Sequence, residues 1–333
     1  MREVTITAND AGQRLDRFLK KYLANAPLSL VYKAVRKDVK VNGKRAKEDT
    51  MLAEGDTLQL YLSDEDLDAF TRKKRVSTAK KQFTVCFEDE NVLVASKPFG
   101  LLVHGDSSER KDTLANQVVD YLIEKGDYVP RLEKSFVPSP VHRLDRNTTG
   151  LVVFGKNAQA LRILSAALAE DKGFSKYYLT IVCGRLEKEL HLKNRLLKDE
   201  RTNKVRILAE GAKNADGEPL GKYIETIARP LYTDGRYTLV EVELVTGRSH
   251  QIRAHLKYAG YPLIGDAKYG YPRVNRLLAD RTGLTTQLLH ARKLVFTELP
   301  APLAYLNGRE TTAPLPPQWN FIQKELFGKE IIE

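Results

Sequence analysis

The chain has 333 residues, of which 42% are hydrophobic and 29% charged, enough for about two domains at roughly 100–200 residues each. A mean hydropathy of -0.40, with no run near the ~18 apolar residues that a spanning helix needs, excludes a helical membrane protein, a collagen-like chain and a disordered one. Lys and Arg number 54 against 43 Asp and Glu, a net charge of +11, and a basic balance of this kind points to a polyanion partner.

The opening MREVTITANDAGQR is acidic and polar where a secretory leader is apolar. Cys86 and Cys183 stand alone in apolar contexts, so a cytoplasmic protein without a disulfide framework is expected. Leu15, Phe18, Leu19 and Tyr22 or Leu23 recur at helical spacing in RLDRFLKKYL, and Pro27 ends that segment. Ser29 is placed to cap a second helix, SLVYKAVRK, with Leu30, Val31, Ala34 and Val35 inward and Lys33, Arg36 and Lys37 outward. Val39 and Val41 then alternate into Asn42-Gly43, a tight-hairpin signal, and Gly55-Asp56 turns into a strand TLQLYL. Between Ser29 and Lys47, seven cations (Lys33, Arg36, Lys37, Lys40, Lys44, Arg45 and Lys47) face Asp38 alone. By charge alone this is a small α+β module with a basic face, either solvated or RNA-bound. Two short helices feeding a basic β-turn and a small sheet, over Gln13 to Leu62, resemble the S4 RNA-binding domain. The resemblance implies an RNA-binding domain over residues 1–62, with Lys33, Arg36, Lys37, Lys44 and Arg45 on the RNA.

Residues 63–81, SDEDLDAFTRKKRVSTAKK, run acidic then basic with few apolar anchors and read as a charged linker. From 82 to 333 the pattern is that of a second domain. FTVCF and NVLVASKP read as strands about the turn EDEN, and LVVFG at 151–155 as a third. Asn157 can cap a helix AQALRILSAALAED with Leu161, Leu164 and Leu168 on one face. YTLVEVELV alternates, with Leu239, Glu241 and Glu243 on one face and Val240, Val242 and Leu244 on the other. The expected class is α+β, with a mixed or antiparallel sheet and packed helices.

Gly150-LVVF-Gly155-Lys156-Asn157 has phosphate-loop spacing, but Asn157 stands where Ser or Thr must hold Mg²⁺ and the four intervening residues are strand formers. No GxGxxG occurs, neither cysteine lies in a CxxC, and His250 and His255 are five apart where a zinc pair on a helix wants four. The expectation is therefore no cofactor and no metal site. In His142-Arg143-Leu144-Asp145-Arg146-Asn147-Thr148-Thr149-Gly150 an acid lies between two arginines ahead of an apolar strand. Read alone, this is equally a structural ion pair at a loop.

The segment HRLDRNTTG resembles the catalytic signature of the RluA family of RNA pseudouridine synthases. Three further stretches are similar to that family in the same order: KPFGLLVH from Lys97, KYYLTIVCG from Lys176, and LVTGRSHQIRAHL from Leu244. PLIGD from Pro262 and LHA from Leu289 follow, also in family order. Departures are conservative: Gly105 where Pro is frequent, Ser249 for Thr, Thr149 for Ser, and Thr180 where Ala is usual.

The resemblance implies isomerisation of uridine within RNA, with Asp145 as nucleophile or base, Arg253 as its compensating cation and Tyr178 stacked on the uracil. It implies that Arg143 fills the stack vacated by a flipped uridine; read without it, Arg143 is a simple phosphate contact, and His142 and Asn147 shape the loop. Attack on C1′, as in retaining glycosidases, and removal of a sugar proton both stay open. The expected substrate is large-subunit (23S) ribosomal RNA, with tRNA as the alternative and a monomer as the expected state. A non-catalytic RNA-binding or ribosome-assembly factor is the competing class. A glycosidase wants two carboxylates, and only one lies in this basic frame.

Overall fold

A computed structural model describes residues 1–333 apart from 72–79, 106–108, 110–111, 131, 200, 203, 210, 215 and 333. The chain packs as two compact units, the first formed by Met1–Lys81, Ala115–Ser139 and Gly155–Arg162, the second by Gln82–Leu114, Pro140–Phe154 and Ile163–Glu333.

The first unit opens with β1 (Arg2–Thr5), α1 (Leu15–Tyr22) and α2 (Leu28–Lys37), followed by β2 (Val39–Val41), β3 (Lys44–Arg45), β4 (Thr57–Leu60) and α3 (Asp64–Phe70). Its four strands run in the order β1-β4-β2-β3. Both hairpin residues between β2 and β3, Asn42 and Gly43, have positive φ, the geometry a two-residue turn demands and these two residues tolerate. Leu15, Phe18 and Leu19 of α1 and Val31, Ala34 and Val35 of α2 close on Leu58 and Leu60 of β4 in one apolar core. Lys33, Arg36, Lys37, Lys44 and Arg45 stay exposed.

Two local expectations are corrected. The cap of α2 is Pro27, with no side-chain bond, because proline presets the extended backbone ahead of a helix and Ser29 falls inside the first turn. The stretch read as linker from 63 begins with α3, where Ser63 accepts from the Asp66 N–H and three acids occupy the first turn, favourable at the positive end of a helix. Leu67 supplies its buried anchor. The basic stretch 72–79 lies outside the described residues.

Later segments complete this unit. Asp10, fully buried, accepts from the Thr7 hydroxyl and from the Ser135 amide and hydroxyl at 2.7–3.0 Å. Arg162 donates to the Ala11 carbonyl.

In the second unit β5 (Thr84–Glu88) and β6 (Val92–Lys97) are antiparallel, with Asp89 accepting from the amides of Asn91 and Val92 in the turn. The chain then returns to the first unit in α4 (Leu114–Lys125), gives β7 (Ser139–Pro140) and β8 (Thr149–Gly155) to the sheet, and enters α5 (Ala158–Ala169), whose first turn belongs to the first unit and whose remainder belongs to the second. Asn157 caps α5 by accepting from the Ala160 amide. The remaining elements are β9 (Phe174–Cys183), β10 (Leu190–Asp199), β11 (Lys204–Leu208), β12 (Lys222–Thr233), β13 (Tyr237–Leu244), α6 (Gln251–Tyr258), α7 (Pro272–Thr282), β14 (Leu289–Phe296), β15 (Glu310–Thr312) and α8 (Pro317–Phe327). Among the described residues the strands join one sheet, β11-β10-β12-β13-β9-β14-β8-β6-β5, with β15 on β14 and β7 on β8. The β8–β14 pair is parallel and the other registered pairs antiparallel, so the sheet is mixed and the class is α+β, as expected. At that parallel pair a Cβ on Gly150 (φ +106°) would lie 2.2 Å from the Ala291 carbonyl oxygen, so only glycine lets β8 approach β14. No described helix is long and apolar enough to cross a membrane.

Candidate active site

Asp145 stands in the loop leading into β8. The loop is turned by a bond from the Thr148 amide to the Asp145 carbonyl, and it is held from below by Lys97. Lys97 is 1% exposed and donates to the carbonyls of Pro98, Leu101 and Arg146 at 3.0, 2.8 and 2.8 Å. Burial lowers this amine to about 7, opposed by the charge of Asp145. The three carbonyls match the three protons of an ammonium, one more than a neutral amine carries. His142, read as a loop-shaping residue, accepts from the Val153 amide through Nε2.

Arg253 comes from α6, an eight-residue helix whose buried side extends from Gln251 to Leu256. Ala254 packs with Leu196, Val205 and Ile224 of β10, β11 and β12. Gln251 donates to the Glu225 carbonyl and the Thr226 hydroxyl, while His255 bridges the Thr226 hydroxyl and the Asn194 side chain. The helix is thereby fastened to the sheet at both ends. His250, expected on the helix, precedes it as a left-handed cap (φ +53°).

The guanidinium divides its donors. Nε and Nη2 grip Asp266 at 2.6 and 2.9 Å, and Nη1 alone reaches Asp145 Oδ2 at 2.7 Å. The two-pronged contact thus belongs to Asp266, whose side chain is fully buried and also accepts from the amides of Lys268 and Tyr269. Burial would raise Asp266, but Arg253 and these amides hold it below the usual carboxylate range. Burial likewise opposes the Arg253 charge, and Asp266, then Asp145, more than offset it. Asp145 keeps 29% of its side chain exposed.

The carboxylate opens into a cavity of about 790 Å³ lined also by Arg143, Tyr178, His250 and Arg253. Tyr178 lies on β9 between Val242 of β13 and Ala291 of β14, 5% exposed. Burial, then the Asp145 charge, push its phenol well above the usual tyrosine value, so it is a neutral ring wall. Arg143 is exposed at the rim. Lys176 and the Arg248–Asp171 ion pair (3.2 Å) make another wall. Among the described residues no group of three or more His, Cys, Asp or Glu is placed to hold a metal. Asp145, Tyr178, Arg253 and Arg143, separate in sequence, line one cavity. Asp266, Tyr269 and the anchoring use of Lys97 were not read from the sequence; an acid and a tyrosine three residues apart after the apolar PLIG were the available signal.

The RNA pseudouridylate synthase family matches residues 91–258, which contain Asp145, Tyr178 and Arg253. The ribosomal large subunit pseudouridine synthase C of Vibrio vulnificus (strain CMCP6) is 35% identical over 299 residues, 88% of either chain. That of Escherichia coli (strain K12) is 34% identical over 305 residues, again 88% of either.

The chain belongs to the RluA-type RNA pseudouridine synthases.

As a pseudouridine synthase it isomerises uridine to pseudouridine in RNA. The solved human RNA Pseudouridylate Synthase Domain Containing 4 has a TM-score of 0.56 over 73% of this chain and 92% of that one, at 22% identity, a likeness of fold.

The synthase buries two histidines that respond to acid. His255 and His290 are fully buried and lowered to about 4, chiefly by burial; His290 also meets the Thr149 hydroxyl at 2.8 Å. Between 6.5, the ordinary value, and about 4 the unfolded chain takes up protons that the folded chain refuses, so stability falls as pH falls through that window. Each histidine is expected to cost roughly 3 kcal/mol across it. Urea midpoints measured from pH 7 to 4.5 should drop, and His255→Gln should remove one proton from the slope. An unchanged slope in the variant would mean that His255 enters the fold charged.

Proposed function

We propose that this synthase modifies specific uridines of 23S ribosomal RNA, with Asp145 acting at the sugar. The N1–C1′ bond breaks, the uracil turns, C5 bonds to C1′, C5 loses its proton and N1 gains one. The sum is an isomerisation that consumes no donor or oxidant. The arrangement of Asp145 carries the reading: Arg253 holds Oδ2, and Oδ1 has no hydrogen bond among the described residues, within a cavity walled by Tyr178. A carboxylate held by one oxygen, with the other open, suits attack on C1′ or removal of a sugar proton. Tyr178 stacks on the uracil and keeps water away, and Arg143 takes the place of the flipped nucleotide in the stack. The ribosomal substrate is supported by the relatives that are named as large-subunit synthases. Mapping pseudouridines across total RNA from strains with and without the gene tests it. Loss of modification from 23S RNA is expected, loss from tRNA alone would move the substrate there, and no loss at all would favour an assembly factor.

Residues 1–62 act as an S4-like RNA-binding domain, connected by 63–81, helical at its start, to a catalytic domain over 82–333, in a cytoplasmic monomer without cofactor. The support is the pair of helices, the hairpin and five exposed cations. Replacing Lys33, Arg36, Lys37, Lys44 and Arg45 by Gln should flatten the salt dependence of RNA affinity by about 0.7–0.9 in log–log slope for each phosphate no longer neutralised. Filter binding to a 23S transcript between about 50 and 200 mM salt reads this, and an unchanged slope would assign the module another partner.

A further inference from the structure

His250 lies on the cavity wall with one ring nitrogen toward Asp145 and the other toward a buried phenol. Nε2 is 3.9 Å from Asp145 Oδ2, an ion-pair distance just beyond hydrogen bonding. Nδ1 is 3.0 Å from the Tyr269 hydroxyl oxygen. That oxygen accepts from the Val205 amide at 2.9 Å. Tyr269 is 9% exposed and also lies under the Arg253 guanidinium, 5.3 Å from its ring centre.

These contacts select one tautomer. The phenol oxygen accepts from the Val205 amide, and among the described residues His250 Nδ1 is the acceptor within reach of the phenol proton. The ring proton then sits on Nε2, toward the carboxylate. The opposite tautomer would strand the phenol proton in a buried site and turn a nitrogen lone pair on Asp145 Oδ2. The surroundings keep the ring neutral: burial lowers its pKa, Arg253 and Lys268 lower it further, and Asp145 and Asp266 oppose.

We infer that His250, locked as the Nε2–H tautomer by Tyr269, is a positioning residue for Asp145, a second donor that fixes Oδ2 and commits Oδ1 to the sugar. This rests on the reading of Asp145 as the reacting group. Arg253 alone, bonded to Oδ2 through one nitrogen, leaves the carboxylate free to rotate about that contact. A second donor converging on the same oxygen removes the rotation. Closing the 3.9 Å gap needs a shift of about 1 Å, of the kind by which catalytic hydrogen bonds tighten on substrate binding. A neutral donor does this without adding a third charge beside Arg253 and Lys268.

Two experiments test it. Long-range ¹H–¹⁵N spectra of the wild-type protein, which has six histidines, should show His250 as the Nε2–H tautomer. Tyr269→Phe should mix the tautomers and raise the pH at which the ring titrates. An Nδ1–H tautomer in the wild type, or no change in Tyr269→Phe, overturns the proposal. The second experiment compares His250→Gln, whose amide nitrogen reaches the Nε2 position, with His250→Asn, whose amide reaches only Nδ1. Gln should keep kcat within about threefold and Asn should lose about tenfold or more, with RNA affinity unchanged in both. A purely structural role gives the reverse order, because the left-handed backbone at His250 suits Asn better than Gln. Asn equal to or better than Gln therefore overturns the assignment. Failure of the Asp145 reading would show separately, as turnover by Asp145→Asn with the His250 tautomer intact.

Discussion

Asp145→Asn is expected to bring pseudouridine formation below detection while RNA affinity stays within about threefold of wild type. Asparagine keeps the volume and offers Arg253 Nη1 an acceptor in place of Oδ2. It loses the charge that both attack on C1′ and proton removal use, so the loss falls on the chemical step. Uridine tritiated at C5 gives the measurement, since the C5 proton leaves only when the isomerisation completes. Single-turnover assays with excess enzyme separate this from slow release. More than a few per cent of wild-type turnover would remove Asp145 from its assigned role.

The second large effect concerns Arg253, because its loss strands two acids of different kinds. In Arg253→Met the fully buried Asp266 keeps only the amides of Lys268 and Tyr269, and an uncompensated buried carboxylate costs about 3–5 kcal/mol. Asp145, part exposed, suffers less in stability and more in function, and turnover should fall at least about hundredfold. Arg253→Lys keeps a charge but cannot span both acids, so it should fall between. Asp266→Asn separates the two effects. The Arg253 contact with Asp145 survives there, so urea stability should drop by about 1–3 kcal/mol with a smaller loss of turnover. Equal stability of wild type and Arg253→Met would mean that the Arg253–Asp266 pair contributes nothing to the fold. Normal turnover in that variant would mean that Asp145 is held by another group.

Local chemistry made much of this protein legible. Asn42-Gly43 specifies a two-residue hairpin because both residues tolerate positive φ, and Asn157 caps α5 because its side chain accepts the amide three residues on. The alternation of YTLVEVELV marks β13, and the basic run after Ser29 marks an exposed cationic face. HRLDRNTTG and HQIRAHL, with their intervening partners, carry the family and bring Asp145 and Arg253 into view as one pair. These are properties of neighbours in sequence, where backbone preference and side-chain type suffice.

What the tertiary structure decided is how donors are shared among acceptors brought together from distant segments. A guanidinium has three nitrogens, and only the placement of α6 over β10–β12 sets Nε and Nη2 on Asp266 and Nη1 on Asp145, 108 positions away. Lys97 sits in a motif legible in the sequence, yet its anchoring of the Asp145 loop appears only when the Arg146 carbonyl, 49 residues on, comes within 2.8 Å. The same holds for Ser135 on buried Asp10, which draws residues 115–139 into the first unit. The tautomer we infer for His250 rests on the Tyr269 phenol, which in turn accepts from an amide of β11. Hydrogen bonds are directional and short, so an error of about 1 Å in packing reassigns them. Composition and spacing name the groups, and the packed sheet and helix choose their partners.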